Sequence, residues 1–319
     1  MYGSLDFVSW YKIGISTLMA GDCPTFFRLP RITPGSEHYI ERHLQDGPMP
    51  DHVHKSGGIG GDQVQVGQWV DGKKGPESVG TVGTLTLTPG STSVLLDKGK
   101  THASKDFYDP IKKRQIMWVW GVVTSGIMTV PRDMTYHPGI KQIVYAPVAE
   151  MDALHTKQLD TVAKATFSAT GPSVTASSAA DISLSFEIPK ATTTISVAIG
   201  GGSVFFSFTP APASAVSTMS PWKCAVGFMV GGKATFADVV PVLADDETLE
   251  LRVFLDDSVA EAYWMGGRTA MTIPTSAVSK VGLSASSPVT VLNGTSFQMG
   301  DIHTTTDAVL ATPRQFPQA

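Results

Sequence analysis

The feature that most constrains this chain is the length and spacing of its apolar runs. Long amphipathic helical patterns are nearly absent. Short runs rich in Val, Ile, Thr, Leu and Phe recur instead, at 83–88, 116–123, 182–188, 193–199, 203–209 and 249–255. Several alternate apolar and polar residues, the period-two signature of half-buried strands. The chain carries 31 glycines and 21 prolines, and turn formers between short strands predict an all-β protein of the sandwich, barrel or propeller kind.

Composition divides the sequence. Residues 1–150 hold most of the Trp, His and Pro, whereas from about 163 onward Ser, Thr, Ala and Val dominate with few charges. The expected organisation is a first β domain over 1–150, a linker over 151–161 with a short helix, a β-sandwich over 162–312 and a tail over 313–319. The helix is expected within 147–160, where Val148, Met151 and Leu154 recur at three-residue spacing on one face. The segment 307–319 reads as a last strand that runs out into a loose terminus. At 319 residues and 42% hydrophobic content, a sizeable core is within reach.

A net charge of −4 and only 16% charged residues offer no basic stripe, so nucleic acid is not an expected partner. No run of about 18 apolar residues spans a membrane, and residues 1–10 lack the basic start and apolar run of a signal peptide. Two cysteines, Cys23 and Cys224, make no disulfide framework. Asn293-Gly294-Thr295 is a glycosylation sequon, relevant only to a secreted protein.

Three local patterns invite chemistry. His52 and His54 alternate beside Asp51, as a metal pair would, but no further ligands follow at zinc spacing, and no metal or other cofactor is expected. The Gly-rich stretch 55–61 lacks the helix that a phosphate cradle needs, because 63–70 alternates like a strand; it reads as a hairpin loop. Cys23 has no His or Asn partner pattern to make it a nucleophile.

Five separated stretches carry a resemblance. They are Ser4-Leu5-Asp6-Phe7-Val8-Ser9-Trp10; Asp22-Cys23-Pro24-Thr25-Phe26-Phe27; Asp97-Lys98-Gly99-Lys100 with Ala103-Ser104-Lys105-Asp106-Phe107-Tyr108-Asp109-Pro110 and the following Arg114 to Gly121; Val130-Pro131-Arg132-Asp133-Met134-Thr135-Tyr136; and LRVFLDDSVAEAYWMGGRT from Leu251 to Thr269. Each is short, but together and in this order they resemble glycoside hydrolase family 32, the invertase, β-fructofuranosidase and fructan-hydrolase family. The resemblance implies a partial five-bladed β-propeller followed by a β-sandwich, and sucrose or a fructan as substrate. It also implies a secreted or vacuolar setting.

The family's N-D-P nucleophile core and its R-D-P core do not occur in the sequence. The expectation is a C-terminal portion lacking about two blades, whose open edge a homo- or hetero-oligomer covers. By the resemblance, Asp22 holds the acid/base position, where the family has Glu. Asp97 and Lys100 match the residues that tune the acid and bind the sugar; the bland alternative is a surface turn pair. Trp118 and Trp120 share one face of a strand, and Trp120 is the candidate for stacking on a sugar, with core packing as its alternative. Lys98 stands where the family has Tyr. Gly266-Gly267 reads as a hairpin turn, with Arg268 in a structural ion pair. Two functions follow: a retaining β-fructofuranosidase completed by upstream residues, or a catalytically degenerate carbohydrate-binding or structural subunit.

Overall fold

The computed structural model describes residues 2–4, 6–12, 23–28, 52–58, 61–70, 84–87, 94–123, 126–211, 222–302 and 305–312. All strand pairings among them are antiparallel. The six runs picked out by alternation all coincide with strands, so the all-β class holds.

A small ribbon opens the chain, β1 (Tyr2–Gly3) on β2 (Tyr11–Lys12). Between them the Asp6 carboxylate accepts from the amides of Val8 and Ser9 and from the Ser4 hydroxyl. These bonds pull its pKa down to about 2. Next come β3 (Thr25–Arg28), β4 (His52–Gly58), β5 (Gly61–Val70), β6 (Thr84–Leu87) and β7 (Val94–Leu95), ordered β3-β4-β5-β6 with β7 also on β5. The stretch expected as a hairpin loop from residue 55 is instead strand as far as Gly58. Lys55 is fully buried there, because carboxylates on neighbouring strands receive its amine.

The next sheet holds β8 (Thr101–Asp109), β9 (Arg114–Gly121), β10 (Ile127–Met128), β11 (Arg132–His137) and β12 (Gln142–Pro147). β8 pairs β9, and β10 and β11 follow one another along the opposite edge of β9 before β12 closes the sheet. Strand β9 shows why this sheet is central. Met117 and Val119 face one way, into a core with Val53, Val64 and Val66 of the preceding sheet. Ile116 and Trp118 face the other way, into a second core with Phe254, Tyr263 and Ala270. Period-two alternation in one strand thus joins two layers.

From the segment expected as linker and helix, only Ala149–Leu154 forms a 3-10 helix. His155–Val162 is β13, because the edge of β25 (Val289–Met299) offers it a ladder of backbone partners. The sandwich proper has two sheets. One is ordered β13-β25-β16-β21-β22-β23, with β14 (Ala165–Phe167) also on β25; it contains β16 (Ala179–Glu187), β21 (Thr248–Asp256), β22 (Val259–Trp264) and β23 (Thr269–Pro274). The other is ordered β15-β24-β17-β18-β19-β20: β15 (Ser173–Thr175), β17 (Thr193–Ile199), β18 (Gly202–Phe208), β19 (Trp222–Val230), β20 (Lys233–Val242) and β24 (Lys280–Ala285).

Their inner faces interdigitate around Phe186, Phe206, Phe208 and Trp264. The Trp264 indole meets its hydrogen-bonding need by donating to the Phe205 carbonyl at 3.1 Å. The strand expected from 307 is instead the start of an exposed α-helix, Thr306–Ala311. The Thr305 hydroxyl accepts from the Ala308 amide and caps it. Among the described residues no helix is long and apolar enough to cross a membrane.

Candidate functional site

Strand β23 is the outermost strand of its sheet, and its free edge meets the turn 97–100. The Lys98 amide donates to the Ala270 carbonyl at 2.9 Å, and the Lys100 amide to the Thr272 carbonyl at 2.8 Å. Asp97, fully buried, closes the turn on itself and on the strand. Its Oδ1 accepts from the Gly99 amide at 2.7 Å and the Thr272 amide at 3.0 Å, and its Oδ2 from the Thr272 hydroxyl at 2.8 Å. Only glycine fits at 99, since a Cβ there would lie 2.0 Å from the Thr272 carbonyl oxygen.

Behind the turn stands Arg132, with no exposed side-chain surface. Its Nη2 is 2.9 Å from Asp97 Oδ2 and 2.9 Å from Glu261 Oε2, and Nε donates to the Tyr263 hydroxyl at 2.9 Å. That hydroxyl donates onward to Glu261 Oε2 at 2.6 Å, and the other Glu261 oxygen accepts from the Val130 amide at 2.7 Å. Burial pushes the Glu261 carboxyl up, with Arg132 pulling against it. Two carboxylates, one guanidinium and one phenol thus bond to one another in a buried seam, in which Arg132 Nη1 alone of the guanidinium nitrogens has no hydrogen-bond partner.

In front of the turn, the Lys100 side chain is exposed, and its carbonyl accepts from the Val122 amide at 2.8 Å. In the β8–β9 register His102 lies opposite Trp120. Trp120 is 45% exposed, whereas Trp118 stacks on Phe107 with centroids 5.4 Å apart. Asp97, Lys100 and Trp120 therefore gather at one end of one sheet, Asp97 on the buried side and the other two toward solvent.

Asp22 lies outside the described residues, as does the side chain of each of His52 and His54. Cys23, next to Asp22, is described: its φ is +49°, in the left-handed region. Its carbonyl accepts from Lys55 Nζ at 3.4 Å. Lys55 also donates to the Ser104 carbonyl and hydroxyl at 2.9 and 2.7 Å and lies 3.5 Å from Asp106. Asp106 in turn accepts from the Thr25 hydroxyl at 2.7 Å. The segment around Cys23 is thereby tied to β8, the strand that Lys100 leads into.

Lys98 turns away from this end and pairs with Asp238 of β20 at 3.5 Å. The pair borders a small interdomain cleft of about 60 Å³ lined in part by Leu96, Tyr145, Arg268 and Ala270. Arg268 makes the structural ion pair expected of it, with both Asp246 oxygens. Among the described residues one set of potential metal donors converges, Asp152, His155 and Asp181. Arg252 donates to both carboxylates at 2.6 Å, so a guanidinium already neutralises them. Arg132 and Lys55 are the residues that motif reading passed over. The one local signal was Glu261, an anion within the otherwise apolar run VAEAYW, where a charge requires a buried partner.

The sequence profile described as "Glycosyl hydrolases family 32 C terminal" matches residues 150–274. The chain carries the C-terminal domain of glycosyl hydrolase family 32. Among curated proteins this chain is similar to the β-fructofuranosidase insoluble isoenzyme CWINV6 of Arabidopsis thaliana, 28% identical over 211 residues. That match covers 59% of this chain and 36% of the relative. It is also similar to fructan 1-exohydrolase w3 of Triticum aestivum, 25% identical over 178 residues, covering 50% and 28%. The chain thus spans about a third of the length of the curated relatives it matches. Among solved structures, fructan 1-exohydrolase IIa from Cichorium intybus in complex with 1-kestose superposes with a TM-score of 0.69. It is 17% identical, over 94% of this chain and 66% of that one. At that identity the superposition speaks for a shared fold: the family 32 domain and the sheets before it follow one arrangement.

Proposed function

We propose that this chain is the acid/base-bearing and sandwich portion of a β-fructofuranosidase-type hydrolase that removes terminal fructose from sucrose or fructans with retention. The observation that carries the reading is the turn Asp97–Lys100, set beside an exposed Trp120 on the sheet to which the Cys23 segment is also tied. This is the spatial grouping that the family resemblance assigns to sugar binding and acid catalysis. The curated relatives, β-fructofuranosidases and a fructan exohydrolase, support the substrate class. The chemistry requires two carboxyl groups about 5–5.5 Å apart, one nucleophile and one acid/base. Asp22 would serve as acid/base, and the nucleophile would come from polypeptide outside these 319 residues. The two sheets before the sandwich would be blades of a five-bladed propeller, since the paths β3-β4-β5-β6 and β8-β9-β11-β12 run antiparallel in chain order as blades do.

A second reading is a degenerate carbohydrate-binding subunit. It is favoured by Asp22 in place of Glu, since a carboxyl one methylene shorter stands about 1 Å back and such a displacement costs roughly a hundredfold in rate. The test is fructose release from sucrose and 1-kestose by the protein isolated from its source, alongside calorimetric binding of 1-kestose. Release, increased by Asp22→Glu, supports the hydrolase. Binding without release supports the subunit, and neither binding nor release overturns both.

A further inference from the structure

We propose that Thr272, on the sandwich edge strand β23, is a positioning residue for the sugar-facing turn Asp97–Lys100, so that the sandwich sets the geometry of a site on the neighbouring sheet. The inference deepens the proposed function and rests on it for the identity of the ligand.

Every polar atom of Thr272 engages this network. Its amide donates to Asp97 Oδ1, its carbonyl accepts from the Lys100 amide, and its hydroxyl donates to Asp97 Oδ2 while accepting from Arg132 Nη2 at 3.1 Å. A hydroxyl is the side-chain group that gives and takes hydrogen bonds at one atom. Here it stands between an anion and a cation, 175 residues along the chain from Asp97. The methyl group serves the other half of the site. A Cβ on Gly121 would come within 3.2 Å of Thr272 Cγ2, so the methyl borders the end of β9, next to Trp120. One residue thus touches the turn that ends in Lys100 and the strand end that carries Trp120.

The arrangement resembles β-augmentation in one respect: two amides of the turn donate to the alternate carbonyls of Ala270 and Thr272 on a free strand edge. The turn has little of its own to hold it, since the Gly99 bond to Asp97 is its one internal side-chain contact. Lys100 is held to the strand end of Trp120 by the Val122 amide, and the rest of the turn takes its place from the sandwich edge at Ala270 and Thr272.

The test uses the full-length protein from its source, two disrupting substitutions and one conservative control, Thr272→Ser. Thr272→Val keeps the shape and the methyl but removes the hydroxyl. Gly99→Ala leaves the sandwich intact and forces the turn off β23 from the opposite side. Amide hydrogen exchange is read at residues 98–100 against β16 and β21, and 1-kestose is titrated, with KM and kcat for fructose release where activity is present. Expected for both variants is at least tenfold faster exchange at 98–100 with β16 and β21 unchanged. The Kd or KM is expected to rise about tenfold while kcat stays within twofold, and Thr272→Ser, which keeps the hydroxyl, should retain wild-type exchange at 98–100. Equal acceleration across the sandwich with unchanged sugar affinity would mean a purely structural residue and overturn the proposal. So would unchanged exchange and affinity in both variants. A wild type that neither binds nor cleaves 1-kestose sinks the functional reading, and the sugar-positioning role with it. That result is distinct from a wild type that binds beside variants that bind equally well.

Discussion

The guanidinium of Arg132 and the carboxylate of Glu261, 129 residues apart in sequence, meet at 2.9 Å with both side chains shut away from solvent. Arg132 also neutralises Asp97, so one cation serves two anions from different parts of the chain. Removing one partner from such a group strands the rest in a medium that solvates charge poorly. Arg132→Met is therefore expected to lower unfolding free energy by about 3–5 kcal/mol, read as a shift in denaturant midpoint at constant slope. Glu261→Gln leaves Asp97 still paired and is expected to cost less than half as much. A loss under about 1 kcal/mol for Arg132→Met would show that the seam tolerates two unpaired carboxylates.

His137 supplies a pH dependence. Burial, then the nearby Arg268, push its pKa down to about 4, against an opposing pull from Asp246 and Asp245. The unfolded chain takes up this proton near pH 6.5 and the folded chain only near 4. Stability is thus lost as pH falls through that window, by up to about 1.4 kcal/mol per pH unit. His137→Gln is expected to flatten the curve of melting temperature between pH 6.5 and 4.5. Glu150, held down to about 2 first by its bond with Arg114, acts in a lower window and leaves the comparison clean. Parallel curves for the two proteins would refute the assignment.

Two adjacent glycines in the β22–β23 connection separate strain from crowding. Gly266 has φ +64° with nothing near a would-be Cβ, whereas Gly267 has φ +93° and a Cβ would meet the Tyr145 carbonyl oxygen at 2.4 Å. Gly266→Ala is expected to cost about 1 kcal/mol, the left-handed penalty alone. Gly267→Ala adds overpacking against a neighbouring backbone and is expected to cost about 3 kcal/mol or more. Equal melting temperatures for the two variants would contradict this.

Arg268 grips Asp246 with two nitrogens and also donates to the Pro241 carbonyl at 2.9 Å. Lysine keeps the charge but not the planar fork. Arg268→Lys is expected to lose about 2 kcal/mol, measured by denaturant unfolding. A neutral result would mean that charge alone suffices there.

Much of the fold could be read from the chain. Alternation marked six strands, and the residues around Leu251 to Thr269 announced the motif that lies within the family 32 domain. Two local expectations failed for reasons outside the local sequence. The short helix expected within 147–160 ends at Leu154, because β25 presents an open edge that pairs the residues from His155 onward as β13. Residues 55–58 look like the start of a glycine-rich loop, but the buried amine of Lys55 finds Asp106 and Ser104 on another sheet. Of the candidate site, Asp97, Lys100 and Trp120 were legible as motif positions. Thr272 was not, because nothing about a threonine in an apolar strand declares which edge it will serve.

By itself the sequence determined the all-β class and six of the strands with their apolar, inward-facing positions. These depend on dihedral preferences and on a period of two, both properties of near neighbours. Only the tertiary structure decided that Asp97 would be buried against Thr272 rather than left at a surface turn. It also decided that Arg132 would find its second partner in Glu261 and that the turn 97–100 would join β23. A buried charge or a free strand edge must be satisfied by some partner, but which partner it is depends on where remote segments of the chain come to rest.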